Sequence, residues 1–394
     1  MTRISSRYVV DQVISKLSSE YDHMSKLNIM VLGKTGVGKS TLINSIFETR
    51  VVEAGVGKPV TNNISKVEQQ GFPLVLFDTP GLELTGANDF DSLTKQITSL
   101  IKQYFTDNIE GNEIHCILYC VSTASHRFEA AEADFLKSIL EGVKDYNVPV
   151  IVVLTQSFSR QDAAELKGVI ENENLPIAAI VPVLADEYEV DEDLIIPPYG
   201  LDELTETMSG ILPDAIRKTF IALEKANYDL KVKRSRAVIT SASLTAAAIG
   251  ATPIPMADAA ILIPDMITML VGITMAFGLP VNQKSTQDII NNTIGALGRS
   301  VFGRTVKNSL FKMIPAAGLF ISAASAATLT ESLGETYIRI LTMIGKGEIK
   351  MEDVTKPEYK DMVRAMFKER VQTKKHSEKI EKTTGENKEE DPNG

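Results

Sequence analysis

Apolar positions along this chain recur at two spacings. Val9, Val13, Leu17 and Tyr21 fall every fourth residue between about 5 and 26, which predicts an amphipathic helix whose stripe needs a covering surface from later in the chain. Short apolar runs then follow at 27–32, 74–77, 114–121, 149–154 and 178–184, with helical patterns at 40–47, 89–105, 129–142 and 163–171. Strands alternating with helices predict an α/β fold built on a mostly parallel six-stranded sheet covered on both faces. The segment at 64–70 is joined to 74–77 by only Gly71-Phe72-Pro73, so it is expected to pair antiparallel as a hairpin.

The alternation stops after an acidic loop at 186–193 and the turn Pro197-Pro198-Tyr199-Gly200, and a helix is expected from Leu201. Beyond Ala237 the pattern changes. Segments 237–252, 266–282 and 313–330 are uncharged and rich in small or apolar residues, which reads as an all-α, Ala-rich domain. A membrane-spanning helix needs about 20 apolar residues, more than any of these has, and Pro253, Pro255, Asp258, Pro264 and Asp265 separate the first two. Small side chains permit close helix packing in water or in lipid, so a compact bundle, peripheral or not, and an inserted one both remain open. After Thr373 a charged tail lacks apolar periodicity and is expected to be disordered. The expected organisation is an N-terminal helix (1–26), an α/β domain (27–200), a hydrophobic helical domain (201–372) and the tail (373–394).

Composition narrows the setting. A chain of 394 residues with 44% hydrophobic and 23% charged content can bury two to three globular cores. Two cysteines form no disulfide framework, and the first 27 residues lack the order of a signal peptide. The expectation is a cytoplasmic protein, with peripheral or integral association with a membrane kept open. A formal net charge of −10 weighs against nucleic acid as a partner. The basic run Lys231, Lys233, Arg234, Arg236 reads as a solvated helix face or a lipid-contacting cluster.

The strongest chemical signal is Gly33-Lys34-Thr35-Gly36-Val37-Gly38-Lys39-Ser40-Thr41, which closes a predicted strand and opens a predicted helix. A triphosphate must be gripped by backbone N–H groups without side chains in the way, and glycines at 33, 36 and 38 allow that approach. Lys39 then supplies an ammonium to the β and γ phosphates, and Ser40 a hydroxyl to Mg2+. A chance match to this pattern in a chain of this length has odds on the order of one in a hundred. Asp78-Thr79-Pro80-Gly81 follows the run 74–77, so a carboxylate emerges at the same sheet edge as the glycine-rich loop. Asp78 is positioned to hold Mg2+ and the Gly81 amide to meet the γ-phosphate.

With these motifs, residues 27–187 resemble a P-loop GTPase of the Era-like, translation-factor-related class. The resemblance implies GTP and GDP as substrate and product and Mg2+ as cofactor. It also implies that Thr61, in Gly57-Lys58-Pro59-Val60-Thr61, is the first-switch threonine that closes on Mg2+. Lys39 and Thr61 are thus the expected catalytic residues, and Ser40, Thr61 and Asp78 the metal ligands. Two departures stand out. Where the class carries its guanine-reading Asn or Thr, Lys, any residue, Asp, this chain has Thr155-Gln156-Ser157-Phe158, and Leu184-Ala185 matches the second base-contacting loop only loosely. Asp162 is a candidate substitute for the missing aspartate. The second departure is Leu82 after Gly81, where many small GTPases place a water-orienting glutamine, so slow intrinsic turnover is expected; Glu83 reads as a solvated charge. Cys116, Cys120, His115 and His126 lack metal-ligand spacing and read as structural, and the C-terminal methionines as gap fillers.

The C-terminal half resembles an uncharacterised hydrophobic helical domain found behind some bacterial GTPase domains, through Ala257-Asp258-Ala259-Ala260 and Ile263-Pro264-Asp265-Met266. Its arrangement is also similar to immunity-related and dynamin-like GTPases. Two readings follow: a GTPase switch acting through the helical half on a membrane surface or by self-association, or an interaction protein in which bound nucleotide mainly stabilises the fold. A ribosome-assembly GTPase is disfavoured by the acidic balance. An ATPase is disfavoured because Thr79 stands where many P-loop ATPases carry a catalytic glutamate.

Overall fold

The structure is a computed structural model that describes residues 6–47, 58–61, 64–68, 73–79, 87–107, 109, 111–191, 194–250, 258–279, 284–301 and 323–386. The chain divides into two compact units, Met24–Tyr228 and Met1–His23 with Asp229–Gly394.

The first unit is built on β1 (Leu27–Leu32), β2 (Lys58–Thr61), β3 (Ile64–Glu68), β4 (Leu74–Asp78), β5 (Cys116–Ser122), β6 (Val150–Thr155) and β7 (Ala179–Pro182). They form one sheet in the order β2-β3-β4-β1-β5-β6-β7. β4, β1, β5, β6 and β7 run parallel, while β3 joins β4, and β2 joins β3, antiparallel. The six expected strands are therefore present, with β2 as a short seventh on the edge. A separate hairpin, β8 (Tyr188–Asp191) and β9 (Leu194–Ile196), stands where the sequence suggests only an acidic loop.

The helices of this unit are α2 (Lys39–Ile46), α3 (Ala87–Thr106), α4 (Ala130–Val143), α5 (Arg160–Glu171), α6 (Leu201–Ile211) and α7 (Asp214–Leu223). Every residue of β1 and of β6 is buried, as expected of parallel strands covered on both sides. Met30 and Leu32 share a core with Leu93, Ile97 and Ile101 of α3 and Phe135, Leu136 and Ile139 of α4. Ile29 and Val31, alternating with them, are buried on the opposite face. α7 packs against β1, and Phe220 meets Phe47 edge-on with centroids 6.3 Å apart. α6 and α7 thus belong to the sheet unit, which extends beyond residue 200.

His115 proves to be a core histidine. Its Nδ1 accepts the Asn28 amide at 3.0 Å, and its own amide donates to the Asn28 carbonyl at 2.9 Å. Burial holds its pKa below the usual histidine value, against the raising effects of Glu113 and the Asn28 hydrogen bond. The Asn28 amide group in turn donates to the carbonyls of Gly111, Asn112 and Glu113, tying the start of β1 to the approach to β5.

The second unit comprises α1 (Ser6–Asp22), α8 (Tyr228–Gly250), α9 (Asp258–Ala276), α10 (Lys284–Val301), α11 (Ala323–Gly345) and α12 (Pro357–Glu386). Val9, Val13 and Leu17 are fully buried, with α9 and α10 as the covering surface that the α1 stripe requires. Tyr359, Val363, Phe367 and Val371 form a second stripe at spacing four on α12, which packs on α10 and α11. α12 continues to Glu386, so part of the segment expected to be disordered is helical. Buried hydroxyls pair between helices: Thr274 with Tyr337 at 2.9 Å and Thr293 with Tyr359 at 2.5 Å. The basic run on α8 divides. Lys231 is buried with Nζ donating to the Ala276 carbonyl at 3.3 Å, while Arg236 pairs with Glu335 at 2.9 Å. Among the described residues, no helix is long and apolar enough to cross a membrane.

Candidate nucleotide site

β1 lies between β4 and β5, where the strand order reverses, and the carboxyl edge there is the usual ligand position of open α/β sheets. The Gly33–Lys39 loop leaves β1 at that edge and ends at α2. Gly38 caps α2 with φ 90°, a left-handed conformation that glycine adopts without strain. At Gly33 a Cβ would lie 2.5 Å from the Cys120 carbonyl oxygen, so the loop backbone crosses β5 too closely for any side chain. The N-terminal amides of α2 are thereby left facing the loop, the arrangement that suits an anion.

Lys39 Nζ donates to the carbonyls of Gly33, at 2.9 Å, and Lys34, at 3.1 Å, so the ammonium lies folded over the loop. Lys34 is drawn outward instead, to Glu129 at 3.0 Å and Glu132 at 3.1 Å at the start of α4. Asp78 is level with Val31 at the end of β4, and the Thr79 amide donates to the Val31 carbonyl at 3.4 Å. Asp78, Lys39 and Ser40 line one small cavity of about 20 Å3. Asp78 Oδ1 is buried there with no hydrogen-bond partner among the described residues. Burial raises the Asp78 pKa, opposed by the Lys39 charge. A buried carboxylate oxygen without a partner, beside a hydroxyl and an ammonium, fits a hard divalent cation such as Mg2+, for which oxygen donors are the preferred ligands.

Thr155, Gln156, Leu184 and Ala185 come together with Gly38 and Thr41 around a neighbouring cavity of about 160 Å3. Gln156 has φ 52° and is a brace: its Nε2 donates to the Gly36 carbonyl at 3.0 Å and its Oε1 accepts from the Ser122 hydroxyl. Thr155 Oγ1 donates to the Val121 carbonyl at 3.2 Å, and Thr123 Oγ1 to the Gln156 carbonyl at 2.6 Å. These bonds hold the loop after β6 against the phosphate loop and β5. Phe158, in the position of the missing aspartate, stacks on Tyr188 with centroids 4.0 Å apart. Asp162 is not among the residues lining this cavity; it lies in the first turn of α5, 3.7 Å from His126 Nδ1. Asp186 and Glu187 do line it, which the sequence reading missed because they belong to what looked like a solvated acidic loop.

Thr61 ends β2 opposite Ile64, but its side chain lies outside the described residues, as do Gly81, Leu82 and Glu83. Burial pushes the thiols of Cys116 and Cys120 up to about 12, which leaves them protonated and inert. Among the described residues, no cluster of three or more His, Cys, Asp or Glu is placed to hold a metal ion.

Residues 23–196 match the family model described as Septin. The sheet unit is a P-loop GTPase G domain. Among curated proteins the chain is similar to Septin-4 of Rattus norvegicus, 27% identical over 202 residues, covering 44% of this chain and 42% of that protein. It is also similar to neuronal-specific septin-3 of Danio rerio, 25% identical over 203 residues, covering 46% and 54%. The chain spans about half the length of the curated relatives it matches. A solved structure of a probable GTP-binding protein engB is 15% identical, covers 48% of this chain and 99% of that one, and has a TM-score of 0.32. The family match falls on the G domain and returns septins; the narrower Era-like placement expected from the motifs is not what it shows.

Proposed function

We propose that this chain is a guanine-nucleotide switch: the G domain binds GTP with Mg2+, hydrolyses it slowly and relays its state to the helical unit. The observation that carries the reading is the buried Asp78 oxygen, without a partner among the described residues, in one cavity with Lys39 and Ser40, below a loop whose backbone is open to an anion. An unpaired buried carboxylate is costly, and a fold retains one where a ligand satisfies it.

Each group has a task. The amides of 36–41 and the N-terminus of α2 hold the phosphate chain, and Lys39 exchanges its two carbonyl partners for β and γ phosphate oxygens. Ser40 and Asp78 hold Mg2+, with Thr61 as the switch ligand. The cation neutralises charge on the transferring phosphoryl group when bound. The Gly81 amide senses the γ-phosphate. With Leu82 in place of a water-orienting glutamine, turnover is slow in the isolated monomer and rises on self-association or at a membrane surface, since water positioning is then supplied by a partner. The Era-like placement, carried by the phosphate loop and Asp78-Thr79-Pro80-Gly81, belongs to this reading.

The test is phosphate release from GTP by the full chain. Slow, Mg2+-dependent turnover that Lys39→Ala abolishes is expected. Fast turnover in dilute monomer contradicts the need for a partner. Lys39-dependent binding without turnover favours the second reading, in which nucleotide stabilises an interaction protein.

A further inference from the structure

The G domain lacks the aspartate that reads guanine after β6, yet its base-side cavity carries two carboxylates from a different element. We propose that Asp186, in the loop between β7 and β8, reads the guanine edge, so that base selectivity has moved from one loop to the next. The inference rests on the proposed binding of nucleotide at the phosphate loop.

Three observations support it. The side chains after β6 are committed elsewhere: Gln156 bonds at both ends of its amide, Thr155 Oγ1 donates to Val121 and Ser157 Oγ to Leu154 at 2.7 Å. Phe158 can accept no hydrogen bond and instead forms an aromatic wall with Tyr188. The carboxyl side chains left lining the cavity, among the described residues, are Asp186 and Glu187.

Asp186 is the better placed of the two. Its side chain is exposed; Oδ1 accepts the Glu187 amide at 2.9 Å, which restrains the carboxylate, and its other oxygen has no partner among the described residues. The loop that carries it is pinned at both ends. Leu184 and Tyr199 exchange amide-to-carbonyl bonds of 3.0 Å, and the Tyr199 hydroxyl donates to the Ser157 carbonyl at 2.8 Å. The Arg160 guanidinium lies 3.9 Å over the Tyr199 ring. The carboxylate is therefore held relative to the loop after β6, which is itself braced to the phosphate loop.

The chemistry selects the ligand. A carboxylate accepts from both N1–H and the N2 amino group of guanine. Adenine offers no such pair on its Watson–Crick edge, since its N1 is an acceptor. Xanthine has a carbonyl at C2, which the carboxylate repels. Replacing Asp186 by Asn turns one acceptor into a donor, which suits N1–H and the C2 carbonyl of xanthine.

The experiment is equilibrium binding of fluorescent GDP, ADP and XDP with Mg2+ to the full chain and to Asp186→Asn, Glu187→Gln and Lys39→Ala. Asn retains the acceptor for the Glu187 amide, and circular dichroism checks the fold. Wild type is expected to prefer GDP over ADP. Asp186→Asn is expected to lose roughly 10- to 100-fold in GDP affinity and to gain affinity for XDP, with Glu187→Gln near wild type. Unchanged GDP affinity in Asp186→Asn, or the exchange of preference in Glu187→Gln instead, overturns the assignment while Lys39-dependent GDP binding leaves the switch reading standing; equal GDP and ADP binding by wild type overturns the assignment and the guanine preference, leaving only nucleotide binding at the phosphate loop. Absence of any Lys39-dependent binding overturns both.

Discussion

Asp78 is a buried carboxylate beside the Lys39 ammonium, and its cost to the folded chain can be tested directly. Burial raises the Asp78 pKa from its ordinary value, against the opposing Lys39 charge, so ionisation costs more in the native state than in the unfolded chain. The sign follows from linkage: the folded state binds the proton more tightly, so stability falls as pH rises from the ordinary value through the raised one. Asp78→Asn is therefore expected to melt higher than wild type at neutral pH without nucleotide, with the difference shrinking as pH is lowered through that window. It should also lose the stabilisation that Mg2+ with GDP gives wild type, about 2.7 kcal/mol at a hundredfold excess over Kd. Thermal melts with and without Mg2+ and GDP check both; a variant that melts lower at neutral pH would contradict the cost assigned to the buried charge. The spacing of the glycine-rich loop alone singles out Lys39 in the sequence and proposes its role. It does not show that of Gln156, because its φ of 52° and its two amide bonds depend on Ser122 and Gly36 from distant parts of the chain.

At the scale of elements, strands covered on both faces announce themselves as apolar runs, and β1, β4, β5, β6 and β7 are legible for that reason, while β3, only partly buried, is legible from its short connection to β4. β2 was not: Lys58-Pro59-Val60-Thr61 is four residues long and contains a proline, which suits only an edge. β8 hid behind its charge, since Tyr188 and Val190 alternate with Glu189 and Asp191 over too few residues to outweigh an acidic composition. The β8–β9 excursion begins and ends beside Gly200, with φ 82°, where a Cβ would lie 2.0 Å from the Pro182 carbonyl oxygen. Gly200→Ala is expected to destabilise the protein by more than about 1 kcal/mol and, by shifting the Leu184–Tyr199 pair, to weaken guanine nucleotide binding. Gly210→Ala, on α6 with nothing within 4 Å of the added Cβ, is the control and should be neutral or stabilising by up to about 1 kcal/mol. Denaturant melts of the two variants check the contrast, and equal stabilities would show that the Gly200 turn is not required.

Across the whole molecule, the division into units follows packing that no local pattern reveals. α1 is first in sequence yet belongs with α9 and α10, and α6 and α7 follow the Pro197-Pro198 turn yet belong with the sheet. Where they are described, the uncharged segments that hinted at lipid lie largely in helices whose interior also holds paired hydroxyls such as Thr274 with Tyr337, a polar content that composition alone hides. What unites the reading is one claim: the phosphate loop and Asp78 form a working nucleotide site. The most direct measurement is calorimetric titration of the full chain with GDP in Mg2+, repeated in chelator and with Lys39→Ala. Saturable one-to-one binding that weakens by at least about tenfold in chelator and is lost in Lys39→Ala is expected, since the lysine supplies charge-assisted bonds to phosphate. Absence of binding, or binding indifferent to both Lys39 and Mg2+, would contradict it.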